Sequence, residues 1–264
     1  MTPTLHIVVP VLNEENNVPE LIRSFATIRN RLQPSFRVRL VVVDDGCTDR
    51  TVDCLERLRG DLELRILAHT RNLGPGAAFG TAFQHLAGKL AGPDWVATME
   101  GDNTSAVECL LHMLKRREEG YEVVLASPYA YGGGLRGVES NRIWLSHAAN
   151  ALAKTVLGLR GLHTLSSFFR LYSAPVIGRL QSRYGPRIIE FAGFECMVEL
   201  LLKLVLVEAR ISEVEVELDW SGRRGKSKMK RLKAIAGYLR LLSVGWRWRA
   251  EAGRRFWKPV QTSP

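Results

Sequence analysis

Three short groups in the sequence could do chemistry: Asn13–Glu14, Asp44–Asp45 and Glu100–Gly101–Asp102. Each follows an apolar run, "HIVVPVL", "LVVV" and "WVATM" respectively. Taken singly, Gly, Asp and Asn at such places make ordinary turns. Two carboxylates one residue apart can also hold a hard divalent cation, which takes oxygen ligands and keeps positions open for a substrate. A turn explains each group alone. It does not explain why so many strand ends carry acids.

The elements that position these groups are legible from periodicity. Residues 5–12, 37–46, 62–69 and 94–100 are short, β-branched or apolar runs with turn residues after them, which predicts strands. Between them, 18–32 has Val18, Leu21, Ile22, Phe25 and Ile28 at helical spacing, 50–60 reads as a second helix, and 71–88 is a glycine-punctuated loop entering a third. This β-α-β-α-β-α-β order implies a mostly parallel sheet with helices on both faces, whose strand carboxyl ends share one edge. Further on, 121–129 and 210–220 read as strands, 132–137 as a flexible glycine loop, 141–159 and 193–209 as helices, and 168–180 as strand-turn-helix.

Composition narrows the class. Residues 219–264 hold 13 Lys/Arg against 2 Asp/Glu, while the rest holds 24 against 25, so the excess of +10 resides in the tail. This predicts a body over 1–228 and a basic C-terminal appendage over 229–264 with one localised partner surface. Met229, Leu232, Ile235, Ala236, Leu239, Ser243 and Trp246 recur at three- and four-residue spacing beside Lys230, Lys233, Arg240 and Arg247. That is the pattern of an amphipathic helix lying on a membrane, with Trp246, Trp248 and Trp257 suited to its interface. The tryptophans suit base stacking too, but no nucleic-acid-binding module accompanies them, so no nucleic-acid partner is expected. The longest late apolar run, "LLLKLVLV", is broken by Lys203, and the amino terminus has no basic start, so neither a spanning helix nor a signal segment is expected. Cys47, Cys54, Cys109 and Cys196 are dispersed, which suggests neither a disulfide framework nor zinc.

Taken in order, "VVPVLNEENNV", "VVVDDGCTDRT", "RNLGPGAAFGTAF", "MEGDNTSAVE", "SFFRLYS" and "GKSKM" resemble the motifs of inverting family-2 glycosyltransferases of the GT-A fold. Within these the chain looks most like the dolichol- or polyprenyl-phosphate mannose synthases, over roughly residues 5–230. The resemblance implies a nucleotide-sugar donor held by Pro10, Asn13, Glu14, Asp44, Asp45, Arg71 and Gly76. It implies Mg²⁺ or Mn²⁺ at Glu100 and Asp102, and a polyprenyl-phosphate acceptor held by Arg223, Arg224, Ser227 and Lys228. Asp102, Arg142 and Arg170 are the implied catalytic set, and the protein is expected in the cytoplasm, peripheral on the inner face of the membrane. A hydroxyl acceptor would instead require a base, for which Glu195 is the candidate. Departures from the family pattern are Glu100 for an Asp, Thr104 for a Gln, Pro128 for an Arg, Thr164 for an Asp and Gly222 for an Arg.

Overall fold

The computed structural model describes residues 2–137, 154–155, 157–159, 161–219 and 231–251. Four strands, β1 (Thr4–Val11), β2 (Arg37–Asp44), β3 (Glu63–Ala68) and β4 (Trp95–Thr98), run parallel in the spatial order β3-β2-β1-β4. The sheet continues through β7 (Arg170–Ser173), β5 (Val123–Ser127) and β8 (Ile211–Glu215) to seven strands. Only β7 runs antiparallel to its neighbours β4 and β5, and β5 is parallel to β8. The expected mostly parallel sheet is present.

Strand side chains alternate between two cores, as the period of two requires. Val8, Val41, Val96 and Val123 face one side and pack with α3 (Pro75–Leu86), α5 (Ala174–Tyr184) and α6 (Cys196–Leu206). Ile7, Val42, Ala97 and Val124 face the other, against α1 (Val18–Leu32), α2 (Thr51–Leu58) and α4 (Cys109–Arg116). Both faces are covered, which is why the strands read as near-continuous apolar runs.

Two expectations are corrected. The single strand over 210–220 is two: β8 in the large sheet and β9 (Glu217–Asp219), which pairs with β6 (Gly134–Arg136) in a small second sheet. Val216 makes the transfer, its N–H donating to Ser127 O of the large sheet while its carbonyl accepts from Gly134. The glycine loop over 132–137 is accordingly part strand. The expected helix over 141–159 lies almost wholly outside the described residues.

Helix α7 (Arg231–Glu251) crosses the α6 side of the body. Leu241 is fully buried there, and a Cβ on Gly245 would sit 2.6 Å from Leu157 Cδ2 and 2.9 Å from Leu202 Cδ2. Tyr238, Leu242, Val244 and Trp248 pack on the same core. Ile235, Leu239 and Trp246 are more than half exposed, so the ridge expected to meet a membrane faces away from the body. Trp248 is corrected: it belongs to the packed face. Met229, Lys230 and Trp257 lie outside the described residues.

Candidate active site

Parallel register brings the acidic groups to one edge. Val11 is paired with Asp44, Asp44 with Ala68, and Val8 with Thr98, so the loops after β1, β2, β3 and β4 leave at neighbouring levels. Met99 N–H still donates to Val8 O, and a Cβ on Gly101 would meet Val11 Cγ1 at 3.0 Å and Pro10 O at 3.2 Å. The acidic loop therefore lies against the end of β1, held there by a residue without a side chain.

That loop is closely tied. Asp102 Oδ1 accepts from the Thr104 hydroxyl at 2.7 Å and the Thr104 N–H at 3.3 Å. Asn103, at φ 58°, donates from Nδ2 to Asn17 O at 2.9 Å, which joins the loop to the start of α1. Thr104 O accepts from Asp219 N–H at 3.1 Å, and Ser105 bridges to Leu218, which joins it to β9. Thr104 thus positions Asp102, which is what the departure from Gln at this place supplies. Glu100 and Asp102 are half-buried at the mouth of the sheet.

The loop after β1 has its own latch. Asn13, at φ 52°, accepts the Thr48 N–H on Oδ1 at 2.7 Å, and Glu14 N–H donates to Thr51 Oγ1 at 2.7 Å. The Glu14 carboxylate accepts from Asn17 Nδ2. Asp44 Oδ1 accepts Cys47 N–H at 2.7 Å, a turn in which the aspartate serves its own backbone. Burial, followed by the neighbouring Asp44, pushes the Cys47 thiol up to about 12.

Asp45 is positioned differently from its expected role. Its Oδ2 accepts Gly74 N–H at 2.9 Å, and its Oδ1 accepts Leu73 N–H at 2.9 Å and faces His69 Nδ1 at 2.8 Å. His69 Nε2 lies 2.9 Å from Thr81 Oγ1 on α3. A carboxylate only accepts, so Nδ1 is the donor to Asp45, and Nε2 shares a hydrogen bond with the threonine hydroxyl. Both oxygens of Asp45 are engaged in shaping the 71–76 loop. His69 was missed in the sequence, where the polar end of "RILAH" was its one signal.

The loop's glycines are also used internally. Gly46, at φ 78°, lets the Arg71 backbone pass where a Cβ would come within 2.5 Å of it, and leaves the Arg71 side chain exposed. A Cβ on Gly74 would sit 2.5 Å from Ala192 O, and one on Gly76 would overlap Phe191 O. Gly76 N–H donates to Ala192 O at 2.8 Å. With Leu73 and Gly74 amides on Asp45 and Pro75 lacking an N–H, the start of α3 has given these amides to the protein. Gly74 and Gly76 thus admit the 191–192 segment, and the exposed part of this loop is residues 71–73.

Arg170 is corrected too. It pairs with Thr98 on β4, is 0% exposed, and donates to Ser167 O at 2.7 Å, Leu165 O at 2.7 Å and Met197 O at 2.8 Å. A guanidinium so enclosed organises the chain around β7 and does not reach an acceptor. Glu195 is 7% exposed, and a Cβ on Gly237 of α7 would come within 2.5 Å of its carboxyl, so α7 covers this candidate base. Arg142, Arg223, Arg224, Ser227 and Lys228 lie outside the described residues.

Comparison with known proteins agrees with this architecture. Residues 6–180 match the family model described as "Glycosyl transferase family 2". A polyprenol monophosphomannose synthase of Mycolicibacterium smegmatis is 25% identical over 94% of this chain and 89% of its own length. A dolichol-phosphate mannosyltransferase of Pyrococcus furiosus is 27% identical over 94% of this chain, which spans 65% of that relative. Glucosyl-3-phosphoglycerate synthase from Mycobacterium tuberculosis, solved with Mn²⁺, uridine diphosphate and glucosyl-3-phosphoglycerate, shares the fold at a TM-score of 0.60 and 20% identity, over 94% of this chain and 80% of that one. With the family model spanning most of the chain and the acidic edge in place, this chain belongs to glycosyl transferase family 2 and is an enzyme of the nucleotide-sugar-dependent hexosyltransferase kind.

Proposed function

We propose that this enzyme moves a hexose, with mannose the first candidate, from a nucleotide-sugar to a polyprenyl phosphate with inversion. The observation that carries the reading is the bond from Asp219 to Thr104. Asp219 immediately precedes "WSGRRGKSKMK" in the sequence, so the residue before the basic segment is tied to the acidic loop. Donor and acceptor chemistry would then meet at one place. The names of the two relatives matched over 94% of the chain support the same acceptor class.

Glu100 and Asp102 are the residues that would hold a divalent cation. The chemistry of the pair fits, since both are hard oxygen donors, half-buried at the mouth of the sheet. Among the described residues no group of three or more His, Cys, Asp or Glu stands together, so the diphosphate and water would have to complete the coordination. Such an ion neutralises the leaving diphosphate when bound, and Mn²⁺ in the glucosyl-3-phosphoglycerate synthase structure supports that class of metal. Asn13 and Glu14 would meet the nucleoside, and exposed Arg71 would add positive charge at the rim.

A phosphate monoester is already anionic at neutral pH, so its oxygen attacks without a general base. The burial of Glu195 beneath α7 accords with a reaction that requires none. Arg142, Arg223, Arg224, Ser227 and Lys228 are the groups proposed for the acceptor phosphate.

A lipid acceptor would bring the enzyme to a bilayer, peripheral to it, with the cytoplasmic face as the proposed side. No helix among the described residues is long and apolar enough to cross a membrane. The exposed ridge of Ile235, Leu239 and Trp246, with exposed Arg240 and Arg247 beside it, is the proposed docking surface.

The test is incubation of purified protein with a panel of nucleotide-sugars, Mn²⁺ or Mg²⁺, and polyprenyl phosphate. A sugar-phosphate lipid extractable into organic solvent is expected from one donor. Transfer only to a hydroxyl compound, or none with any donor, overturns the proposal.

A further inference from the structure

Helix α6 buries two opposite charges one turn apart. Glu199 and Lys203 are both 0% exposed, with Lys203 Nζ 2.7 Å from Glu199 Oε1. Burying an ion pair is costly, and an apolar pair of similar volume often serves stability as well. The pair's remaining hydrogen bonds show what else it does.

They all go to one irregular segment. Glu199 accepts the Glu190 N–H at 2.8 and 3.0 Å and the Phe191 N–H at 2.9 Å. Lys203 donates to Arg187 O at 2.6 Å, to Ile188 O at 3.3 Å and to the Glu190 carboxylate at 3.0 Å. The segment from Arg187 to Phe191 lies between α5 and α6 and borrows its polar partners from this pair. Tyr184 and Trp248 of α7 lie over the ammonium at 4.9 and 4.7 Å. The same segment runs on to Ala192; the carbonyls of Phe191 and Ala192 fill the space left by Gly76 and Gly74, and that of Ala192 accepts the Gly76 amide.

We infer that Glu199 and Lys203 are positioning residues for the donor loop, setting the Gly74–Gly76 turn through the carbonyls of Phe191 and Ala192. The chain of contacts is continuous: Lys203 to Glu199, Glu199 to the 190–191 amides, Ala192 O to Gly76, and Gly74 to Asp45. Asp45 holds the loop from the β2 side and this pair from the α6 side. The inference deepens the proposed donor site, and rests on that reading only in naming what the loop receives.

The experiment replaces both charges in the full chain, Glu199→Leu with Lys203→Leu, so that neither buried charge is left alone; Glu190, which also pairs with Lys203, is exposed to water. Hydrogen–deuterium exchange of residues 72–78 is expected to rise tenfold or more, with β1 and β2 amides unchanged. Exchange equal to the wild type overturns the inference. If the double variant loses protection in β1 and β2, Glu199→Gln is measured instead; it keeps one acceptor oxygen, so a rise of two- to fivefold is expected and no rise overturns the inference. Calorimetry with guanosine or uridine diphosphate and Mn²⁺ is the second arm. Whichever nucleotide the wild type binds should bind tenfold more weakly to the variant, and equal affinity overturns the positioning role. A wild type that binds neither overturns the donor-site reading, and the exchange result alone then decides the positioning role.

Discussion

The main-chain N–H of Asp219 donates to the carbonyl of Thr104 at 3.1 Å, while the Thr104 hydroxyl donates to Asp102 at 2.7 Å. One threonine therefore joins the acidic loop to the strand that leads into the basic segment. Asp102→Asn and Glu100→Gln should abolish transfer and leave the melting temperature within about 2 °C, because both sit at the mouth of the sheet and away from the cores. Transfer assays with and without a chelator, beside thermal melts, check this. Wild-type turnover in Asp102→Asn or under full chelation would sink the metal assignment.

Arg170→Ala should act on the fold. Three carbonyls lose their donor inside a 0% exposed site, a loss of roughly 3 kcal/mol or more. Arg170→Lys should recover only part, since an ammonium lacks the planar fork that reaches all three. Denaturant titration measures both. An intact midpoint with a raised KM for the lipid acceptor would restore Arg170 to the acceptor site.

Gly76→Ala puts a methyl on the Phe191 carbonyl oxygen and within 2.8 Å of Cys196 Cβ. Neither neighbour is the end of a flexible side chain, so overpacking should cost about 1–3 kcal/mol. Gly80→Ala, whose added methyl would find only Ile189 Cβ at 3.9 Å, is the control and should be neutral or slightly stabilising. Equal midpoints for the two variants would contradict the close approach.

Cys47 is partly exposed yet should alkylate slowly. Its thiol is raised from 9.0 to about 12, chiefly by burial, so at pH 8 the reactive thiolate is about a thousandfold scarcer than for an unshifted thiol. The rate should climb with pH through the whole accessible range and show no plateau below pH 10. Mass-spectrometric labelling at Cys47 reads this out, and rapid modification at pH 7 would contradict it.

Removing α7 is a poor test of membrane binding, because it would uncover the seats of Leu241 and Gly245. Leu239→Gln with Trp246→Gln alters only the outward ridge. Each apolar side chain withdrawn from a bilayer forfeits about 1.5–3 kcal/mol, so sedimentation with anionic liposomes should fall tenfold or more at an unchanged melting temperature. Undiminished sedimentation would move the docking surface elsewhere.

Much of this architecture was legible because local patterns carried it. Alternating strands and helices gave the parallel β1–β4 unit and the shared acidic edge, and three- and four-residue spacing gave the outward ridge of α7. The packed face of α7 was hidden because Tyr238, Leu241, Leu242, Val244 and Trp248 recur at the same spacing as the outward ridge, and periodicity alone does not tell which of two apolar stripes meets the body. Lys203 was visible only as a break in an apolar run, although Glu199 stood four residues before it. The antiparallel direction of β7 had no local signature at all, since "RLYS" reads the same either way. Arg170 misled for a related reason: a motif names a residue, and only burial tells whether it faces a ligand or the chain.

The position of β7 has a consequence for how the chain can be divided. β4 is zipped on one side to β1 and on the other to β7, some 75 residues later in the sequence. A fragment ending before β7 would leave β4 with a bare row of amides and carbonyls beside uncovered Val96 and Ala97, an invitation to pair with another copy. The β3-β2-β1-β4 group and the β7-β5-β8 group therefore meet along a single antiparallel seam, and a piece holding only the first would carry that seam open.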